Sequence, residues 1–345
     1  MNTLKIIIAG PCAAESREQV LFTAKDIYIN YPVKNLWEFR FFRCGIWKGR
    51  TNPNDFQGIG DVAFDWLREV KEQFGFKICV EVASVEHVKK CIAHTIDAIW
   101  IGARTTVNPF LVQEIADAVK NKSLTVLVKN PINPDLNLWQ GAIQRFQNAG
   151  IKNVMAVHRG FSIENENVYR NAPCWEIPIA LKMKMPDISV LCDISHIAGH
   201  VSLQQTVAQS AINYDLNGLM AEVHHAPETA LSDSNQQLLP SQFMHLLKNI
   251  TFPTPHNETD NALFFQRNLI KNIDIQISKL LSKRMKIVDE IADIKAKHAF
   301  SALQPEQWKK VMDIYEENAL HDENYRQFLQ EFLLLLHKSS LKRQK

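Results

Sequence analysis

Short apolar runs along the first 250 residues repeatedly end in an ionisable side chain. In chain order these are Cys12, Arg43 with Lys48 and Arg50, Glu81, Arg104, Lys129, Arg159, His196 and Glu222, with Asp233 in the stretch beyond. Six of them are cations (Arg43, Lys48, Arg50, Arg104, Lys129, Arg159). Six cations brought to one place would repel one another unless a polyanion lay between them, and Arg forks suit phosphate and carboxylate. Cys12, His196, Glu222 and Asp233 form a second set, because a thiolate, an imidazole and two carboxylates can hold a divalent cation. Taken singly, His196 reads as well as a hydrogen-bonded core histidine, and Asp233 as a helix N-cap. Spacing alone leaves the metal open against those structural roles.

These positions need a scaffold that brings them together. The apolar runs lie at Lys5–Gly10, Leu36–Phe42, Lys77–Val82, Asp97–Gly102, Thr125–Val128, Asn153–His158, Ile188–Cys192 and Gly218–Val223. They are nearly continuous in Ile, Val, Leu and Phe, as strands buried on both faces should be. Helical patterns separate most of them: Arg17–Tyr31, Asp61–Phe74, Val85–His94, Pro109–Lys120, Leu136–Asn148 and Leu203–Tyr214. The interval Phe161–Asp187 is less regular. Eight β/α units fit a closed (β/α)8 TIM barrel, whose chemistry sits at the C-terminal strand ends. An open doubly wound sheet is the rival, but no G-x-G-x-x-G follows the first strand.

Composition narrows the function further. The 345 residues are 46% hydrophobic and 22% charged, ordinary globular values that exclude disorder and fibrous repeats. A net charge of +2 offers no broad attraction to nucleic acid or anionic lipid, so neither is expected as a partner. No apolar run approaches membrane-spanning length. The opening MNTLKIIIAGPCAAE lacks the apolar core of a signal peptide and reads as a first strand. Cysteines 12, 44, 79, 91, 174 and 192 form no CxxC, which points to reduced thiols and a cytoplasmic protein.

All glycines lie between Gly10 and Gly218, and beyond Pro255 the only proline is Pro305. The stretch 251–261 (TFPTPHNETDN) therefore reads as a linker between residues 1–250 and an almost wholly helical region, 262–345. From Asn257 to Gln304 apolar residues recur at helical spacing, predicting one long helix. A second helix starts near Pro305, and a third covers Glu323–Ser339 and beyond. Arg284 and Lys295 are 11 residues apart. At ~100° per residue they share the stripe of Val288 and Ile291, where burial without an anionic partner would be costly. Arg267 points elsewhere, about 100° from Arg284, and Ser340 and Gln344 share a face at i and i+4.

The segments AGPCAAES (9–16), FRCGIWKGRT (42–51), IGARTT (101–106), LVKNP (127–131), VHRGFS (157–162), CDISHIAGH (192–200) and GLMAEVHHAPETALSD (218–233) resemble the compact type of 3-deoxy-D-arabino-heptulosonate 7-phosphate (DAHP) synthase. The resemblance covers essentially all of 5–245. It implies a TIM barrel that condenses phosphoenolpyruvate with erythrose 4-phosphate, the first step of the shikimate pathway. The family's metal site, for Mn2+ or a similar divalent ion, falls on Cys12, His196, Glu222 and Asp233. Arg104 and Arg159 match the residues holding the phosphoenolpyruvate phosphate. Arg43, Lys48 and Lys129 match those around its carboxylate, with Lys129 also a proton carrier. Arg50 and Thr51 match the erythrose 4-phosphate phosphate site. The usual Lys-Pro-Arg-Thr is Lys48-Gly49-Arg50-Thr51 here, and glycine frees φ in that loop. The usual Asp-Pro-Ser-His is Asp193-Ile194-Ser195-His196. The related octulosonate 8-phosphate synthase usually carries Lys-Ala-Asn-Arg-Ser, so Arg50-Thr51 argues against that alternative.

The helical region resembles the all-helical chorismate mutases over Arg267, Ile273-Asp274, Leu280-Leu281, Arg284, Lys295, Ser340 and Gln344. That resemblance implies an intertwined homodimer in which Arg267 enters the partner's site. It also implies conversion of chorismate to prephenate, with Arg267 and Arg284 on the carboxylates and Lys295 and Gln344 on the ether oxygen. A further Arg or acidic residue normally opens the second helix, and Gln307 stands where the Arg is expected. A tail that mainly senses chorismate or prephenate and dimerises the protein is the competing expectation, since strand one begins at Lys5 and control would then come from the tail.

Overall fold

The computed structural model describes residues 4–31, 36–50, 52–164, 168–252, 261–298, 300–301, 305–318 and 323–343. Two compact units divide between Pro253 and Thr254. The first is a closed barrel of eight parallel strands paired in sequence order. The strands are β1 (Lys5–Gly10), β2 (Trp37–Cys44), β3 (Ile78–Val82), β4 (Ala98–Ile101), β5 (Thr125–Lys129), β6 (Asn153–His158), β7 (Ser189–Asp193) and β8 (Gly218–Glu222). The open-sheet alternative is thereby excluded, as β1 pairs with both β2 and β8.

Helices α1 (Arg17–Asn30), α2 (Ala63–Phe74), α3 (Val85–Ala93), α5 (Pro109–Ala118), α6 (Leu136–Asn148) and α9 (Gln204–Asn213) occupy the six expected intervals. The irregular interval holds α7 (Glu176–Lys184), and α10 (Pro240–Lys248) follows β8. Two short helices, α4 (Ala103–Thr106) and α8 (Ile194–Ala198), begin directly at the ends of β4 and β7. Several starts are capped by side chains that satisfy orphan backbone N–H groups: Ser16, Ser84, Asn108 and Asp135 each accept from a first-turn amide.

Alternation along the strands separates two cores. Ile7, Ala9, Phe42, Val80, Ile99, Val126 and Val190 point outward under the helices. Ile6, Ile8, Phe41, Cys79, Trp100, Leu127, Val157, Leu191 and Met220 fill the barrel interior. Burial of each such side chain contributes about 1.5–3 kcal/mol. Two residues further along the same strands the interior-facing set becomes chemical: Arg43, Glu81, Lys129, Arg159, Asp193 and Glu222. β2 runs past the expected Phe42 because Arg43 and Cys44 still pair with Cys79 and Val80 of β3. Arg43 thus lies inside the strand, fully buried. Gly10 is required by its surroundings: its φ is +149°, and a Cβ there would sit 2.2 Å from the carbonyl oxygen of Arg43.

Among its described residues the second unit has three helices, α11 (Asn261–Lys297), α12 (Pro305–Asn318) and α13 (Glu323–Arg343). The expected single helix to Gln304 stops earlier. The Phe300 amide reaches the Lys295 carbonyl at 3.0 Å, five residues back, closing the last turn loosely. Val288, Leu333 and Leu336 are its buried apolar residues among those described. No helix among the described residues is long and apolar enough to cross a membrane.

Candidate active site

A cleft of about 630 Å³ opens at the C-terminal ends of the strands. Its walls include Arg43, Lys48, Arg50, Arg104, Lys129, Arg159, His196 and Asp233, so all six predicted cations meet there. Thr51 lies outside the described residues.

The floor is a buried network of opposite charges. Arg43 Nη2 donates to Glu222 Oε1 at 2.9 Å and Nη1 is 3.9 Å from Asp193 Oδ2. Lys129 Nζ donates to Asp193 Oδ2 at 2.7 Å. Both cations lie over the Trp100 ring, at 5.0 and 5.7 Å from its centroid. Burial works against the charge on Arg43, yet the Glu222 and Asp193 carboxylates outweigh it and raise its pKa. Asp193 is likewise buried, but His196, Lys129 and Arg43 hold its carboxyl well below the usual range. Lys48 Nζ donates to the Cys12 carbonyl at 3.2 Å and is 3.9 Å from Glu81. Arg104 Nη1 donates to the Gly49 carbonyl at 2.9 Å, and Arg50 Nε to that of Phe56 at 3.1 Å. Arg159 Nη1 donates to Asn171 Oδ1 at 2.5 Å. Burial, with Arg170 and Arg104 nearby, lowers the Arg159 pKa to about 10.

The metal candidates gather on one side of this floor. The ligand atoms of Cys12, Glu222 and Asp233 all lie within 4.8 Å of one another. His196 stands just outside that triplet, with Nε2 3.8 Å from Glu222 Oε1. Its Nδ1 is 2.9 Å from Asp193 Oδ2, a close polar contact rather than a well-aligned hydrogen bond. Asp193 Oδ1 meanwhile caps α8 by accepting from the His196 amide at 3.1 Å. One carboxylate thus aims the imidazole from behind, an arrangement common at metal-bound histidines. Asp233 does occupy an N-cap position, before a 3-10 turn at Ser234–Gln236, but its side chain makes no cap bond. It instead accepts from the Cys12 thiol at 3.3 Å, with its backbone at φ +50°. Burial, then the nearby Glu222 charge, push the Cys12 thiol up to about 12. A thiol, an imidazole and two close carboxylates make a donor set that fits a divalent cation.

Several participants are additions to the sequence reading. Asp193 is legible in sequence only as the first residue of Asp193-Ile194-Ser195-His196, although the strand alternation that turns Arg43 and Lys129 inward also points it inward. Gln236, which donates to Glu222 Oε2 at 2.6 Å, and Arg170, on Asp233 at 3.1 Å, stand in loops with no local signal.

In the helical unit, Arg284 Nη1 donates to Ser340 Oγ at 2.8 Å, and Ser340 is buried. Arg284 and Lys295 are half-buried on α11, and both charges lower the His337 pKa, after desolvation. His337 stacks on Trp308 at 4.0 Å between ring centroids. Arg267 is exposed. Gln307 lies on α12, and Gln344 lies outside the described residues.

Residues 2–253 match the model of the DAHP synthetase I family, and residues 266–345 that of chorismate mutase type II. The chain is 30% identical over 244 residues to the phospho-2-dehydro-3-deoxyheptonate aldolase of Thermotoga maritima, covering 71% of this chain and 68% of that one. The crystal structure of that DAHP synthase superposes with a TM-score of 0.61 at 27% identity, over 72% of this chain and 68% of the other. A 2-dehydro-3-deoxyphosphooctonate aldolase of Rhizobium meliloti is more distant, 24% identical over 259 residues, 71% of this chain and 88% of its own.

Proposed function

The chain belongs to the DAHP synthetase I family, and from that premise we propose a residue-by-residue account of how its two units work. The barrel condenses phosphoenolpyruvate with erythrose 4-phosphate to DAHP and phosphate, and the helical domain rearranges chorismate to prephenate. Both reactions belong to the shikimate pathway.

The family generally uses a divalent metal, and the donors that would hold it here are Cys12, His196, Glu222 and Asp233. When bound, it supplies Lewis acidity toward the aldehyde carbonyl. Arg104 and Arg159 hold the phosphoenolpyruvate phosphate. Arg43, Lys48 and Lys129 surround its carboxylate, and Arg50 with Thr51 takes the aldose phosphate. Their shared task is to hold two anions in contact against repulsion, which is positioning and electrostatic stabilisation. C3 of phosphoenolpyruvate then bonds to the aldehyde carbon. Lys129 Nζ, positioned by Asp193 Oδ2 at 2.7 Å, delivers a proton to the developing alkoxide. Water adds at C2, and the C2–O bond breaks as phosphate leaves. The observation that carries this reading is the convergence of six cations on one cleft above the Cys12, Glu222 and Asp233 cluster. The test is Mn2+-dependent formation of DAHP. Activity that survives EDTA would remove the metal from the mechanism, and equal use of arabinose 5-phosphate would favour the octulosonate reading.

In the helical domain the rearrangement needs no covalent participant. Arg284, fixed by Ser340, and Arg267 bind the two carboxylates, and Lys295 and Gln344 meet the ether oxygen, where negative charge develops. The domain works as a homodimer through α11. In support, Ile270, Ile273, Ile277 and Leu280 of α11 are 44–66% exposed within one chain, and Arg267 is exposed too. Mixing Arg267→Ala with Arg284→Ala protein and letting subunits exchange should restore about a quarter of mutase activity, since half the dimers then carry one intact site. No restoration would contradict the shared site. Gln307 favours a second role, sensing prephenate for the barrel, tested by prephenate inhibition of the full chain. The six cysteines are all free thiols, which supports a cytoplasmic setting.

A further inference from the structure

We propose that Arg170 is a second guanidinium for the aldose phosphate, and that it shares the Asp233 carboxylate with the metal. The proposal rests on the metal assignment above. Asp233 is gripped from both sides: Arg170 Nη1 bonds Oδ1 at 3.1 Å, and Arg50 Nη1 lies 3.7 Å from Oδ2. Arg50 is the residue matched to the aldose phosphate, so the two guanidiniums flank one oxygen-rich anion as they would flank a phosphate.

Arg170 also reaches the other carboxylate. The same Nη1 donates to Gln236 Oε1 at 2.6 Å, and Gln236 Nε2 donates to Glu222 Oε2 at 2.6 Å. Among the described residues only Nη1 is engaged, so the rest of the fork can face an incoming anion. The position is built rather than incidental. Gly199, the C-cap of α8 at φ +70°, would carry a Cβ 2.4 Å from the Arg170 Cβ, so glycine there lets Arg170 approach. The side chain is 45% exposed and lines the cleft.

With a divalent ion on Asp233, its carboxylate would have less charge to offer Arg170 and Arg50, and a phosphate would supply that charge instead. Metal and aldose phosphate therefore strengthen each other's binding by reciprocal linkage.

The test is Mn2+ titration of the full chain, read from the free-ion EPR signal, with and without erythrose 4-phosphate and with no phosphoenolpyruvate present. In the native protein the aldose phosphate should tighten Mn2+ about fivefold or more. In Arg170→Gln, Mn2+ alone should bind at least as tightly, because a competitor for Asp233 is gone. The tightening should shrink, and KM for erythrose 4-phosphate should rise about tenfold with kcat and the phosphoenolpyruvate KM little changed. Arg170→Lys should fall between, and Arg104→Gln, which removes a cleft charge not bonded to Asp233, should keep the coupling. Arg170→Gln or Arg170→Lys protein that binds Mn2+ more weakly, or that keeps both the coupling and the native KM, would overturn the proposal. Native protein that binds no Mn2+ would instead overturn the metal assignment itself.

Discussion

The barrel and the helical unit handle their cations in opposite ways. In the barrel, Arg43 and Lys129 are buried and answered within the chain by Glu222 and Asp193, at 2.9 and 2.7 Å. In the helical unit, Arg284 has a neutral hydroxyl, Ser340, at 2.8 Å, and Arg267 stands exposed beside an uncovered apolar face. The barrel site is preorganised by its own fold before substrate arrives. On the proposed dimeric reading, the helical site is left for a dianion and a second copy to complete. Charge needed in the transition state is then held by buried acids where one chain suffices, and by symmetry where the proposed dimer is required.

The comparison breaks most sharply at Lys129. Lys129→Met should lower synthase kcat by about 10²–10⁴-fold and leave chorismate turnover unchanged. A matching fall in both would mean the two sites are not separately organised. Gln307→Arg sharpens the other side. If the helical site lacks one cation, restoring it should raise mutase kcat/KM by about 10–100-fold with no effect on the synthase. An unchanged rate would place the expected Arg at a different position.

A smaller effect separates the units by acid stability. His158 ends β6, packed against Trp139, Phe161 and Trp175, and burial drives its pKa down to about 3. Its unfolded form takes up a proton near pH 6.5, so the barrel should lose stability as pH falls from there toward 3. By pH 5.5 the loss relative to pH 6.5 should be about 1 kcal/mol, measured by denaturant unfolding of the barrel, and His158→Met should flatten that slope. An unchanged slope in the variant would assign it elsewhere. The smallest change is at Gly49. Its φ is not left-handed, and a Cβ there meets nothing within 4 Å. Gly49→Ala should therefore stabilise the barrel by about 0.4–1 kcal/mol and lower KM for erythrose 4-phosphate modestly. A destabilised variant would show that the loop needs glycine.

Much of the barrel was legible because strands buried on both faces read as apolar runs, each ending where the chemistry begins. The alternation that buries Phe41, Leu127 and Met220 continues to Arg43, Lys129 and Glu222, so strand period alone orients half the site. Asp193, at the end of β7 and three residues before His196, obeys the same rule. Arg170 and Gln236 could not be found this way. They come from loops, where no period relates position to direction, and their meaning lies in contacts more than 60 residues apart. In the helical unit the periodicity located Arg284 and Lys295 on one stripe. It could not locate the Trp308 and His337 stack, which depends on how α12 and α13 meet.

The most direct test of the metal cluster is Mn2+ binding by native protein and by Cys12→Ser and Glu222→Gln variants, followed by EPR. One ion per chain should bind the native protein, with affinity lost by an order of magnitude or more in each variant. Native-like Mn2+ affinity in both variants would contradict the site.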